Sequence, residues 1–228
     1  MTTKLPAKYD LEARYVPAVL CSAPFIALGF YFIVGIDAGF WSKLFALSFG
    51  GITMTVALYK LADQSCRLAG KYLEHVIFKN GTNFPTTAYL LAGDTTFTSH
   101  RKTELIQKIK ALVKVDLSSF TKDNLTNRKR VNEVIGQVRR RFVGKNAMVT
   151  QRNIQYGFFR NLAGGTLLAI PASILGIALA SFKHSLTAMR VSEVLLTCYL
   201  IILVLAVPVL KFLAKQYALT LFDELLGS

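Results

Sequence analysis

The residues of this sequence best suited to chemistry are two triplets of basic side chains, Arg128-Lys129-Arg130 and Arg139-Arg140-Arg141. Lys145 continues the positive charge a few positions later. Guanidinium and ammonium groups bind phosphate oxygens, and several of them on one helix are typical of proteins that contact nucleic acid or anionic lipid. These residues are therefore candidates for binding a partner rather than for catalysis.

Residues for catalysis or metal binding do not follow any pattern that enzymes use. Gly164-Gly165 lacks the Lys-Ser/Thr of a phosphate-binding loop, and no nucleophile elbow or paired carboxylates occur. The cysteines Cys21, Cys66 and Cys198 have no disulfide or metal-ligand spacing and are expected to be small buried hydrophobes. The sequence predicts no catalytic residue, metal site, cofactor or small-molecule substrate, and it favours a non-enzymatic function.

An amphipathic helix is predicted from about residue 127 to 143, and it would carry both triplets. Its apolar stripe consists of Val131, Val134, Ile135, Val138 and Phe142. A second helix starts near residue 103, with a face formed by Leu105, Ile106, Ile109, Leu112 and Val113. Residues 83–98 are rich in Thr and predict a loop with one short turn. Residues 63–78 predict a helical extension of the preceding apolar run, which Asn80-Gly81 then ends.

Four uncharged apolar runs flank this segment, at residues 15–36, 44–59, 161–182 and 194–210. The chain is 53% hydrophobic with a mean hydropathy of +0.42, which is typical of a membrane protein. As a helix, each of the longest runs covers about 33 Å, enough to cross a hydrocarbon core of about 30 Å. Ser173, Gly176 and Ala180 predict close helix packing in the third run. A polar turn is expected over residues 183–193.

The distribution of charge predicts the orientation. Residues 60–160 hold 19 Lys/Arg against seven Asp/Glu, whereas the segments before and after each carry only +1 of the total +14. Lysine and arginine accumulate on the cytosolic side of membrane proteins. The middle segment should therefore be cytosolic, and both termini should lie on the same side of the membrane as that segment.

These patterns predict an all-α membrane protein with four transmembrane helices in two hairpins and a helical, basic cytosolic insert between them. The predicted divisions are residues 1–62 for the tail and first hairpin, 63–160 for the insert, and 161–228 for the second hairpin and C-terminal tail.

An aromatic and polar stretch joins the insert to the third span. Its candidate coupling residues are Tyr156, Phe158, Phe159, Arg160 and Asn161. Aromatic and polar side chains alternate there, which is typical of a helix entering a membrane interface. A pull on the insert could reach the membrane part through this stretch.

Three uses of the basic insert remain open on the residues alone. Juxtamembrane lysines and arginines bind lipid headgroups and set topology. Clustered arginines on a helix also bind nucleic-acid phosphates, and a protein partner is the third option. The apolar runs offer polar groups only from Ser, Thr, Cys and Tyr, which fits either an oligomeric bundle with a leak or simple helix packing.

Three stretches carry a resemblance to a known family. They are LEARYVPA at residues 11–18, Pro85-Thr86-Thr87, and NIQYGFFRNL at residues 153–162. In order and position these resemble the transmembrane effector, or toxin, of bacterial retron anti-phage defence systems. The resemblance implies a toxin held inactive by a reverse transcriptase and its RNA–DNA product. On infection its release would disrupt the inner membrane, an abortive-infection response. A stand-alone channel or transporter and a non-permeabilising membrane adaptor are the alternatives.

Overall fold

The structure is a computed structural model that describes residues 7–34, 51–120 and 122–227. Within these ranges every regular element is a helix and there is no β-strand. The elements are α1 (Ala7–Asp10), a π-helical turn (Leu11–Tyr15), α2 (Val16–Val34), α3 (Gly51–Ile77), α4 (Pro85–Ala88), α5 (Ser99–Val113), a 3₁₀ turn (Ser118–Phe120), α6 (Leu125–Phe142), α7 (Ala147–Phe182) and α8 (Leu186–Gly227). The all-α prediction is confirmed.

The helices predicted in the basic segment are also confirmed. α5 begins after Thr98, whose side chain accepts a hydrogen bond from the Arg101 backbone N–H. α6 begins after Asn124, whose side chain caps the Asn127 N–H at 2.8 Å. Such caps satisfy backbone donors that have no partner within a helix. α3 extends through the region predicted as helical and ends before Lys79, Asn80 and Gly81, all of which have positive φ.

Three helices in the described ranges are long and apolar enough to cross a membrane: Lys8–Gly29, Ala147–Phe182 and Leu186–Gly227. With 36 and 42 residues, α7 and α8 are about 54 and 63 Å long, so both exceed the thickness of a hydrocarbon core. The predicted run at 44–59 begins outside the described residues. The polar turn expected over 183–193 is wrong in extent, because α8 already begins at Leu186.

By its internal contacts the chain divides into two units. The first, here called the basic unit, comprises Met1–Asp10, Leu73–Gly157 and Pro208–Ser228. The second, the apolar unit, comprises Leu11–Tyr72 and Phe158–Val207. This division differs from the one drawn on the sequence, because the end of α8 belongs with the insert rather than with the second hairpin.

The core of the basic unit explains that difference. The last five turns of α8 bury one continuous stripe: Leu210, Ala214, Tyr217, Ala218, Leu221, Phe222 and Leu225, each at most 1% exposed. This stripe belongs to the same core as the predicted apolar faces of α5 and α6, including Leu105, Ile109, Val134 and Val138. Burial of so many large side chains is the main stabilisation of a small helical domain. The segment predicted as a tail is therefore a core helix.

Glycines set the helix packing of the apolar unit. A Cβ placed on Gly164 would lie 2.2 Å from the Gly70 backbone nitrogen and 2.6 Å from the Cys66 carbonyl oxygen. The backbones of α3 and α7 are therefore in direct contact at this crossing, which any larger side chain would prevent. Further along α7, Ser173, Gly176 and Ala180 are buried as predicted, and Gly176 faces the Ser192 hydroxyl.

Candidate functional site

Helix α6 arranges the two basic triplets in register. They start eleven residues apart, which is close to three turns at about 3.6 residues per turn. Corresponding members therefore lie on the same side of the helix, about 16 Å apart along its axis. The first, second and third members of the triplets thus lie on three different sides of α6. The surroundings of each side determine what its cations can bind.

The first members, Arg128 and Arg139, face the interior of the basic unit. Arg128 binds both carboxylate oxygens of Asp123, at 2.6 and 2.7 Å, and also donates to the Asn83 side-chain oxygen and the Thr82 carbonyl. The hydrogen bond from Arg128 holds the pKa of Asp123 below its ordinary value. Arg128 is thus a clamp between the start of α6 and the loop before α4.

Arg139 forms a second internal clamp. Its guanidinium lies over the rings of Phe84 and Tyr217, 5.5 and 5.2 Å from their centroids, and its Nε donates to the Tyr217 hydroxyl at 3.2 Å. Phe84 in turn contacts the ring of Tyr156, a predicted coupling residue that is 2% exposed. Cation–π contacts of this kind contribute about 0.5–2 kcal/mol each. These two arginines join parts of the basic unit. Their guanidinium groups are occupied by internal partners and are therefore poor binding groups for an external partner.

The second and third members face outward. Lys129, Arg130, Arg140 and Arg141 are all exposed, and so is Lys145 beyond the end of the helix. We call these five the outer cations. Arg130 pairs with Glu133 at 3.2 Å, and Arg140 donates to the Gly136 backbone carbonyl of its own helix. Among the residues that the structure describes, none forms an ion pair with Lys129, Arg141 or Lys145.

Some other cations of the basic segment form ion pairs within it. Arg101 pairs with Asp223 of α8 and lies over the Phe97 ring. Lys110 pairs with Asp116 at 2.6 Å. Both pairs join residues within the basic unit. The outer cations differ from other exposed cations of this unit, such as Lys114 and Lys122, in lying together on and just beyond α6, and a cluster of positive charge attracts polyanions.

A cleft adjoins the outer cations at the start of α6. It has a volume of about 940 Å³ and lies between the loop around Asn83 and the first turns of the helix. Lys79 and Lys129 line it together with several amide side chains and with two carboxylates, Asp123 and Glu133. Lysines offer charge to phosphates, and amides can hydrogen-bond to the edges of bases. The cleft therefore has a mixed polar lining, in which the lysines and amides suit a nucleic acid and the carboxylates pair with arginines of α6.

Within the apolar unit, a buried contact links two of the resemblance stretches. The Asn161 amide donates to the Ala13 carbonyl at 2.6 Å, and both residues are fully buried. Ala13 lies in the π-helical turn, where the wider backbone spiral changes the i→i−4 hydrogen-bond pattern. π-Helical turns are frequent at functional sites. Stretches 11–18 and 153–162 thus meet at one hydrogen bond, and Asn161 is the predicted coupling residue that makes it.

Charged groups surround the same turn. Asp63 of α3 pairs with Arg67 at 3.0 Å and with Arg14 at 3.8 Å, and Tyr15 packs edge-on against Tyr59. Nothing local in the sequence shows that Asp63 lies beside Arg14, a residue 49 positions upstream. This ion-pair cluster fixes the π-helical turn to α3.

The remaining predicted coupling residues are close to that junction in sequence. Phe158 and Phe159 contact each other with ring centroids 5.2 Å apart, and Arg160 lies next to the Asn161 side-chain oxygen. All three belong to the apolar unit, whereas Tyr156 belongs to the basic unit. The division between the units falls inside the predicted coupling stretch.

Comparison with known proteins returns no relative. No family model, no curated protein and no solved structure matches this chain. The features of the chain that bear on its function are therefore the outer cations, the apolar helices and the junction at Asn161.

Proposed function

We propose that this protein is a membrane-embedded effector of an anti-phage abortive-infection system. A reverse transcriptase and its RNA–DNA product hold it inactive through the basic unit, and its release disrupts the bacterial inner membrane. The chain crosses that membrane four times in two hairpins, keeps both termini in the cytosol and acts as an oligomer.

The observation that carries the proposal is the set of outer cations. After the internal partners of Arg128 and Arg139 are accounted for, five positive side chains remain exposed on and just beyond α6. Binding of anionic lipid would suit cations next to a span, but these lie on a helix of the basic unit that is separated in sequence from the apolar runs. A polyanionic nucleic acid is the partner whose charge best matches such a face.

Two further features support a membrane effector. The apolar runs lack charged residues, so an ion-coupled transporter, which needs ionisable groups near the midplane, is disfavoured. Of the three stretches that carry the retron resemblance, 11–18 and 153–162 share a buried hydrogen bond between Ala13 and Asn161. Such a contact gives the two motifs a joint structural role.

The proposal is tested by capturing the partner from membranes. The tagged full-length protein is expressed with its neighbouring genes and purified in detergent, and bound protein and nucleic acid are identified. We expect a reverse transcriptase and an RNA–DNA molecule with the wild type, and loss of both with Arg140→Glu/Arg141→Glu.

The matched control is Lys114→Glu/Lys122→Glu, which changes the net charge equally at two other exposed lysines of the basic unit. It should retain the partners. Equal loss from both variants, or no nucleic acid with the wild type, would contradict the proposed role of the outer cations.

A further inference from the structure

Two cysteines far apart in sequence lie side by side in the apolar unit. Cys21 is on α2 and Cys66 is on α3, 45 positions later, and they are 2% and 1% exposed. Both belong to one buried cluster with Leu162 of α7. The sequence showed no disulfide spacing because the two residues are brought together only by helix packing.

Gly165 of α7 creates the space that the two sulfur atoms share. A Cβ on this residue would stand 2.2 Å from the Cys21 sulfur and 2.6 Å from the Cys66 sulfur. Both sulfurs therefore border the same small volume and lie at most about 4.8 Å from each other. A larger residue at 165 would force the thiols out of it.

We propose that Cys21 and Cys66 are a redox-active pair that forms an intramolecular disulfide. Because both thiols are shut away from water, the oxidant must be small and uncharged, and a membrane-permeant hydroperoxide meets that requirement. One sulfur attacks the peroxide and becomes a sulfenic acid while an alcohol or water leaves. The neighbouring thiol then displaces water from the sulfenic acid, and the S–S bond forms.

Electrons and atoms balance over these two reaction steps. Two thiols lose two electrons and two protons, and the peroxide is reduced to an alcohol plus water. The second step is intramolecular, so the proximity of Cys66 to Cys21 favours it strongly over reaction with an outside thiol. The product fastens α2 to α3 covalently and restricts any motion that separates them. Oxidation thereby restrains the apolar unit, whatever the partner of the basic unit is.

Cys198 provides a control within the same chain. It lies on α8, is exposed, and is a free thiol like the other two. It should react as an isolated thiol, with alkylating agents or with a second chain, but not with Cys21 or Cys66. The variant Cys198→Ala therefore isolates the pair without changing it.

The test uses the full-length protein in native membranes exposed to tert-butyl hydroperoxide. Free thiols are blocked with N-ethylmaleimide in denaturing detergent, disulfides are reduced, and the released thiols are labelled with a maleimide–polyethylene glycol that shifts gel mobility. After oxidation we expect two labels per chain for Cys198→Ala and at least two for the wild type, in which Cys198 can also be oxidised. We also expect a cross-linked Cys21–Cys66 peptide by mass spectrometry.

Cys21→Ala and Cys66→Ala should each abolish the double label. The proposal is overturned if the wild type gains no double label at oxidant concentrations that oxidise Cys198, or if Cys21→Ala gains it equally. The Cys21→Ser/Cys66→Ser variant should still bind the partner of the basic unit. The labelling result is therefore independent of whether the effector proposal holds.

Discussion

The outer cations make a quantitative prediction about salt dependence. Each phosphate that a cation neutralises contributes about 0.7–0.9 to the slope of log affinity against log salt concentration. If the five outer cations all contact phosphates, binding of a DNA hairpin should fall with a slope of about −3.5 to −4.5. Arg140→Gln/Arg141→Gln removes two of the contacts, so the slope should weaken by about 1.4–1.8.

The assay is fluorescence anisotropy of a labelled hairpin against the detergent-purified full-length protein over a series of salt concentrations. The matched control is Lys114→Gln/Lys122→Gln, which removes the same charge from exposed positions off α6. It should leave the slope within experimental error of the wild type. If both variants change the slope equally, only the net charge matters and the assignment to the face of α6 is refuted.

Three other changes test the fold and the junction. Phe222→Ala, at a fully buried position, should lower the free energy of unfolding by about 3–5 kcal/mol in a denaturant titration. Asn161→Ala leaves the Ala13 carbonyl without its donor and should cost about 1–3 kcal/mol in the same measurement, whereas Asn153→Ala should cost little. The pKa of Asp123 is lower in the folded protein than in the unfolded chain, so ionised Asp123 stabilises the fold at pH values above its unfolded pKa. This stabilisation is lost as the pH falls through the folded pKa. Asp123→Asn should therefore flatten the acid side of the plot of melting temperature against pH.

The helices were predictable because their signals are local. Apolar spacing on α5 and α6 follows the helical period, and the same residues form the core of the basic unit. Long uncharged runs likewise indicated α7 and α8, because a membrane requires length and apolarity within one segment.

The roles within each basic triplet were not predictable in the same way. Arg139 differs from Arg140 only by one position, yet its guanidinium contacts Tyr217 from the far end of the chain. A helical wheel places Arg139 beside the apolar stripe, and this position is the only feature of the sequence that indicates its inward orientation. Its partner could be known only once α8 was seen to pack on α6.

The end of α8 was predicted as a tail because the apolar run of the predicted span and the apolar stripe of the core helix follow each other without a break. The apolar run that should cross the membrane continues directly into the stripe containing Leu210, Leu221 and Phe222. Hydropathy alone does not separate a span from a core helix that follows it. Lys211 and Lys215, exposed on the opposite side, mark the change to an amphipathic helix.

The contact between Asn161 and Ala13 had a partial signal in the sequence. An asparagine at the start of an uncharged run needs a hydrogen-bond partner when it is buried. The sequence identified Asn161 as a coupling candidate but gave no reason to choose the Ala13 carbonyl. The identity of this acceptor depends on the π-helical turn, which no local sequence pattern predicts.

The most direct test of the central claim is the membrane potential of bacteria that express this protein alone. A voltage-sensitive dye is read in single cells after induction, with an Asn161→Ala strain measured in parallel. The effector account predicts that the wild type depolarises before growth stops, and that co-expression of the reverse transcriptase and its RNA–DNA product restores polarisation. Normal growth with polarised membranes, at protein levels confirmed in the membrane fraction, would contradict it.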